Sequence, residues 1–246
     1  MSDTKYAYAV ARIRALENGL FSSAQIEQLL SVKSYEGALR FLTEHGWGDA
    51  DTPLSAEAIL TREKAKSWET VRDLLKGDDA ILAVLSYGDL YHNLKAAIKD
   101  AAAPGSHGNV YFDDCEVDGA RMSKIVAEKD WQALPAHMRE AAKEASETFL
   151  HTGDGQLCDI IVDRSALAAI YECGKNASDA IIRDYAETTV AVADIKIAVR
   201  SQKTGKHLDF MRRAMAPCDS LNIERLSQAA LGGVGAICEY LEGTRY

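Results

Sequence analysis

Proline occurs only four times in the 246 residues, at Pro53, Pro104, Pro135 and Pro217, each where the apolar periodicity already breaks. Proline lacks a backbone N–H and clashes with the preceding turn. Its rarity therefore leaves long stretches rich in Ala, Leu, Glu, Lys and Arg open to unbroken helix. The chain reads as all-α, and its 47% hydrophobic content is ample for a core.

Punctuation at the helix ends sharpens this reading. Tyr6, Val10 and Ile13 recur at helical spacing behind a cap at Asp3, predicting a helix over 4–18 that Gly19 closes in the left-handed conformation. Ser22 and Gln25 have the spacing of a capping box before Ile26, Leu29 and Leu30, and Ser34 opens a helix carrying Leu39 and Leu42. Ser55 starts a longer helix that Gly77 stops, and Asp78 or Asp79 starts one that reaches Ala103. Residues 104–120 carry Gly, Pro, Asn and Asp without helical period and form the main loop. Helix resumes at 122–129, from Pro135 to Leu150, at 165–174, at 178–202, and in short elements at 206–215, 221–229 and 234–242. The weak alternation of Thr188–Ile195 is strand-like, but the length and Ala/Lys content around it favour helix.

Several function classes are excluded or disfavoured. A net charge of −9 argues against a sequence-independent grip on nucleic acid, which depends on Lys and Arg neutralising phosphates. No run approaches the roughly 20 apolar residues of a membrane span, and Met1–Tyr6 has no apolar signal region, so a cytoplasmic protein is expected. The five cysteines, Cys115, Cys158, Cys173, Cys218 and Cys238, are scattered singly and read as reduced thiols. Gly205-Lys206 lacks the upstream glycine of a phosphate-binding loop, because Arg200 stands there. His107 with Cys115, and His151 with Cys158, offer only two ligands each where structural zinc takes four. The remaining enzymatic candidate is the loop Asp113-Asp114-Cys-Glu-Val-Asp118, whose carboxylates could hold Mg²⁺ for a diphosphate substrate or simply be hydrated.

The chain also resembles itself. A shift of 101 residues lays Asn93-Leu-Lys95-Ala-Ala-Ile-Lys99 over Asp194-Ile-Lys196-Ile-Ala-Val-Arg200. A second shift lays Gln25–Leu29 and Ala38–Leu42 near Asn222–Leu226 and Ile237–Leu241. Asn93 and Asp194 then occupy equivalent places on otherwise apolar faces, where a polar side chain must find a hydrogen bond or cost about 1–3 kcal/mol. They are expected to act structurally at lobe junctions.

The opening Tyr6-Ala-Tyr8-Ala-Val-Ala-Arg12-Ile-Arg14-Ala-Leu-Glu17, followed by Ile26–Leu30, Tyr35–Leu39 and Gly46-Trp47, resembles the start of the V/A-type ATPase (ATP synthase) C-subunit family, whose members are also called d subunits. Asp89-Leu-Tyr-His-Asn93-Leu-Lys95-Ala-Ala-Ile-Lys99 resembles that family's second recognisable block, and the likeness runs to Tyr246. It implies a funnel-shaped, all-helical protein of pseudo-repeated lobes, with approximate limits 1–103 and 122–215, a third beginning at 216–246, and 104–121 as the loop. In the family the third lobe continues past an element like Tyr240–Tyr246, so the third lobe is expected to be incomplete. The implied role is a non-catalytic, cofactor-free connector, peripheral to the membrane, that joins central-stalk subunits to the proteolipid ring. Arg12, Arg14, Lys95, Lys99, Lys196 and Arg200 would then be interface residues, although the same side chains also read as solvated helix faces. A Mg²⁺-dependent helical enzyme acting through Asp113, Asp114 and Asp118, and a generic helical scaffold, are the competing readings.

Overall fold

A computed structural model describes residues 6–75, 79–102, 110–112 and 115–246. They form twelve α-helices and two single-turn 3₁₀ helices, and no strand occurs among the described residues. The chain divides into two compact units, Met1–Asp79 and Ala80–Tyr246, a boundary that falls inside the lobe expected at 1–103.

The first unit holds α1 (Ala7–Glu17), α2 (Ser23–Ser31), α3 (Tyr35–Glu44) and α4 (Ala56–Leu74). Three of the caps read from sequence are present. Ser22 and Gln25 close a reciprocal capping box on α2, Ser34 Oγ accepts the Gly37 N–H on α3, and Ser55 Oγ accepts the Ala58 N–H on α4, each satisfying donors the helix cannot. The α3–α4 turn carries Gly46 and Gly48 at φ 84° and 76°, a left-handed backbone that glycine adopts without a Cβ clash. Lys66 on α4 locks that turn, donating to the Gly48 carbonyl at 2.7 Å. Phe21 stacks on Trp47 with ring centroids 5.2 Å apart and meets Phe41 edge-on. Burial is sparse: Leu39 and Ile59 are the apolar side chains this unit buries among the described residues, and α1 buries none.

The end of α1 departs from expectation. The expected Asp3 cap lies outside the described residues. The chain leaves α1 through Asn18 in right-handed helical geometry, and the Gly19 N–H bonds the Leu16 carbonyl at 2.9 Å. A tightened last turn thus satisfies that carbonyl without a left-handed glycine.

The second unit is built around three long helices, α5 (Asp79–Ala102), α8 (Gly155–Lys175) and α9 (Ala180–Lys203). Between them lie α6 (Gly119–Glu128), 3₁₀ turns at Trp131–Ala133 and Ala136–Met138, and α7 (Arg139–Thr152). After them come α10 (Leu208–Ala214), α11 (Ile223–Leu231) and α12 (Val234–Glu242). One core joins Leu90, Tyr91 and Leu94 of α5 to Met122, Met138, Ala142 and Val162, all at or below 1% exposure. A second joins Ala191 and Ala198 of α9 to Met211, Met215, Leu226 and Ile237.

Sequence reading starts α8 near Ser165, but the helix begins ten residues earlier. Gly153, at φ 64°, ends α7, and the Asp154 carboxylate immediately caps α8 by accepting from the N–H groups of Gln156 and Leu157. Helix α8 meets α9 where Gly174 faces Ala186; a Cβ on residue 174 would overlap the Ala186 methyl carbon. The Thr188–Ile195 window is helical throughout, within α9.

Candidate functional site

The second unit holds the side chains singled out by the internal repeat. Asn93 and Asp194 both have 0% exposure, and each grips main chain that returns to its helix. Asn93 Nδ2 donates to the Phe112 carbonyl and Asn93 Oδ1 accepts the Phe112 N–H, both at 2.8 Å. His92 and Asp100 help on the same helix, the first bonding the Val110 carbonyl at 2.9 Å and the second accepting from the Tyr111 hydroxyl at 2.7 Å.

Asp194 Oδ1 accepts the Ala216 N–H at 3.1 Å, while its Oδ2 is buried without a partner among the described residues. The same connector is held by Arg164 of α8, whose Nε donates to the Met215 carbonyl at 3.1 Å, and by Glu187 of α9, which accepts from the N–H groups of Asp219 and Ser220 and from the Ser220 hydroxyl. Burial pushes the Glu187 carboxyl up, but the bonds from Ser220 and Asp219 outweigh it and leave the group below its ordinary range.

The candidate interface cations separate into two classes. Lys95 Nζ lies 2.6 Å from Asp163 Oδ1, and Lys99 Nζ lies 2.6 Å from Asp159 Oδ1. Ser165 Oγ donates to the Tyr91 hydroxyl at 3.3 Å. With the pairings 91–165, 95–163 and 99–159, α5 and α8 run antiparallel and zip together along one seam. The repeat counterparts Lys196 and Arg200 are exposed on α9 and have no side-chain partner among the described residues. Lys203, which sequence reading did not single out, continues their stripe at i, i+4, i+7 and is likewise exposed and unpaired among the described residues. In the first unit, Arg12 is exposed and Arg14 pairs with Glu17 at 2.8 Å.

Of the acidic candidates, Asp113 and Asp114 lie outside the described residues. Asp118 is exposed and serves as the N-cap of α6, accepting the Arg121 N–H at 2.8 Å. No grouping of three or more His, Cys, Asp or Glu with metal-binding geometry occurs among the described residues. His107 lies outside them. His151 is exposed at the end of α7, whereas Cys158 is sealed in the core, where burial pushes its thiol up to about 11. Gly205, at φ 65°, turns the chain from α9 to α10, and Lys206 donates to Gln156 Oε1 at 2.6 Å.

An open cleft of about 470 Å³ lies beside the clasped connector, lined by Tyr171, Lys175, Arg183, Asp184, Glu187 and Arg245 among others. Its charges are largely answered from within. Arg245 pairs with Asp184 at 2.7 Å, Arg183 donates to the carbonyls of Ala177 and Ser178, and Lys175 pairs with Glu172 at 2.5 Å. The site as a whole is thus suited to holding main chain and presenting cations. No described helix is long and apolar enough to cross a membrane.

Residues 9–246 match the family described as the ATP synthase (C/AC39) subunit, which is all of the chain but its first eight residues. No curated protein matches the chain in sequence.

Proposed function

The chain belongs to the ATP synthase (C/AC39) subunit family, and from that premise we propose that it is the rotor connector of a V/A-type ATPase. It joins the central stalk to the proteolipid ring and carries torque between ATP hydrolysis or synthesis and ion translocation, without catalysing a reaction itself. It works on the cytoplasmic side as a peripheral subunit. The observation that carries this reading is the extent of the family match, from residue 9 to residue 246.

The geometry adds two supporting points. A part that transmits force needs its connectors fixed to its long helices, and Asn93, Asp194 and Glu187 do this at Phe112, Ala216 and Ser220. A part that grips others needs a face not already neutralised, and the Lys196–Arg200–Lys203 stripe is one, suited to an acidic partner. The interface therefore centres on Lys196 and Arg200, with Arg12 and Arg14 as a second set. Lys95 and Lys99 would first have to release Asp163 and Asp159. The diphosphate-enzyme reading draws no support from the described residues, since Asp118 is engaged as a helix cap.

Affinity capture from native membranes tests the proposal. The tagged chain should bring down stalk subunits and the ring. Reversal of charge at Lys196 and Arg200 should weaken that capture at low salt more than reversal at the exposed Lys124 and Lys143, and the difference should shrink as salt rises. Equal losses from both pairs would place the interface elsewhere, and capture of none of these partners would overturn the role.

A further inference from the structure

The two clasps on α5 and α9 do the same work with different chemistry. At α5 an amide is matched on both sides: Asn93 gives a donor to the Phe112 carbonyl and an acceptor to its N–H. At α9 a carboxyl offers two oxygens to a connector that supplies one N–H, from Ala216, so Asp194 Oδ2 stays enclosed with no partner among the described residues. An ionised carboxylate in that position would bury a charge with half of its hydrogen-bonding capacity unmet. A neutral carboxyl keeps the Ala216 bond at far lower electrostatic cost.

The surroundings answer the charge less than burial penalises it. On its own helix, Asp194 shares the buried face with Ala191 and Ala198, and Met211 of α10 and Met215 of the connector pack in the same core. From α8 come Tyr171, whose ring joins Ala216 and Cys218, and Arg164, whose guanidinium acts on Asp194 through space but directs its Nε at the Met215 carbonyl. From the connector comes the Cys218 thiol, and Glu187 farther along α9 is occupied by Asp219 and Ser220.

We propose that Asp194 makes the connector Met215–Leu221 a pH-sensitive clasp: closed most firmly while its carboxyl is protonated, and loosened when ionisation drives the carboxyl to seek water. Three observations join here: the sealed Oδ2, the single N–H bonded by Oδ1, and the neutral amide that does the same work at residue 93. The direction agrees with the local electrostatics, because burial pushes the Asp194 carboxyl up to about 7 against the opposing pull of the Ala216 N–H and Arg164. A carboxyl whose folded value lies above its open value favours the closed form most at low pH. That advantage shrinks as pH rises toward the folded value and is constant above it. The connector leads into α11 and α12, so the clasp sets how firmly these last helices are tied to α9.

Backbone hydrogen exchange on the folded, full-length chain between about pH 5 and pH 8 reads this directly, once corrected for the intrinsic pH dependence of exchange. The protection of the Ala216 amide should fall by up to about tenfold per pH unit below the midpoint and level off above it. The Phe112 amide, held by Asn93, should keep constant protection, and Asp194→Asn should flatten the Ala216 profile. Constant Ala216 protection in the wild-type chain, or the same fall in Asp194→Asn, overturns the proposal. If Asp194→Asn does not fold, the ¹³C shift of the Asp194 carboxyl in the wild-type chain decides. A midpoint near neutrality upholds the clasp, and one at the ordinary carboxylate value of about 4 overturns it.

Discussion

Asn93 and Asp194, equivalent under the 101-residue shift and each with 0% exposure, hold the main chain of Phe112 and Ala216 at 2.8 and 3.1 Å. Two long helices therefore fix their returning connectors through one buried polar residue at the same place in a shared motif. This gives the internal likeness a physical content that short matches in Ala- and Leu-rich helices lack.

Replacing Asn93 by Ala leaves the Phe112 N–H and carbonyl without their partner beneath a partly exposed loop. The expected cost is about 1–3 kcal/mol, read from the shift in urea midpoint. Asn93→Asp should cost more at neutral than at acid pH. It loses the donor to Phe112 and buries a carboxyl whose folded value would rise, so stability falls as pH climbs. Equal loss for Asn93→Asp at both pH values would mean that water reaches this site.

At the α8–α9 contact, Gly174→Ala should be destabilising despite alanine's better helix propensity. The new methyl carbon would overlap that of Ala186, and neither atom is the end of a flexible chain. A loss of about 1–3 kcal/mol is expected in thermal unfolding, and Ala186→Gly in the same chain should recover part of it. No recovery would mean that the helices do not approach there.

In the main core, Leu94→Ala removes a side chain at 0% exposure from among Met122, Met138 and Val162. Cavity formation should cost about 2–5 kcal/mol, measured as a lower denaturation midpoint. The matching change at Leu30, which is 79% exposed, should be nearly silent.

Thiol labelling should separate the cysteines. Cys238 is exposed on α12 and should react with a maleimide in the folded chain, whereas Cys158 is fully buried with its thiol pushed up to about 11. Cys158 should label only on unfolding, because the thiolate is the reactive form. Mass spectrometry of labelled peptides gives the order directly.

Much of this architecture is local and so was legible in the sequence. The caps at Ser22, Ser34 and Ser55 are decided by side chains within three residues of the helix start. What escaped depends on partners distant in the chain. Asp159 and Asp163 interrupt the apolar period of α8 and hid its first ten residues. They are there to meet Lys99 and Lys95 of α5, and no local pattern reveals that. The same pairings engage two of the candidate interface lysines within the chain, while Lys196 and Arg200 have no side-chain partner among the described residues. Asp118 drew attention as a metal ligand, yet the helix that follows it uses the carboxylate as a cap. Asn93 and Asp194 were found because a polar residue repeated on a buried face has to be hydrogen-bonded. That argument identifies the residues but not the main chain they hold.

The claim that this chain connects stalk to ring is tested most directly by ATP-driven ion uptake in membrane vesicles from cells lacking it, with ATP hydrolysis measured on the same preparation. The account predicts that uptake is lost and returns when the wild-type chain is supplied, while hydrolysis by the remaining subunits persists uncoupled. Ion uptake at the normal rate without the chain would contradict it.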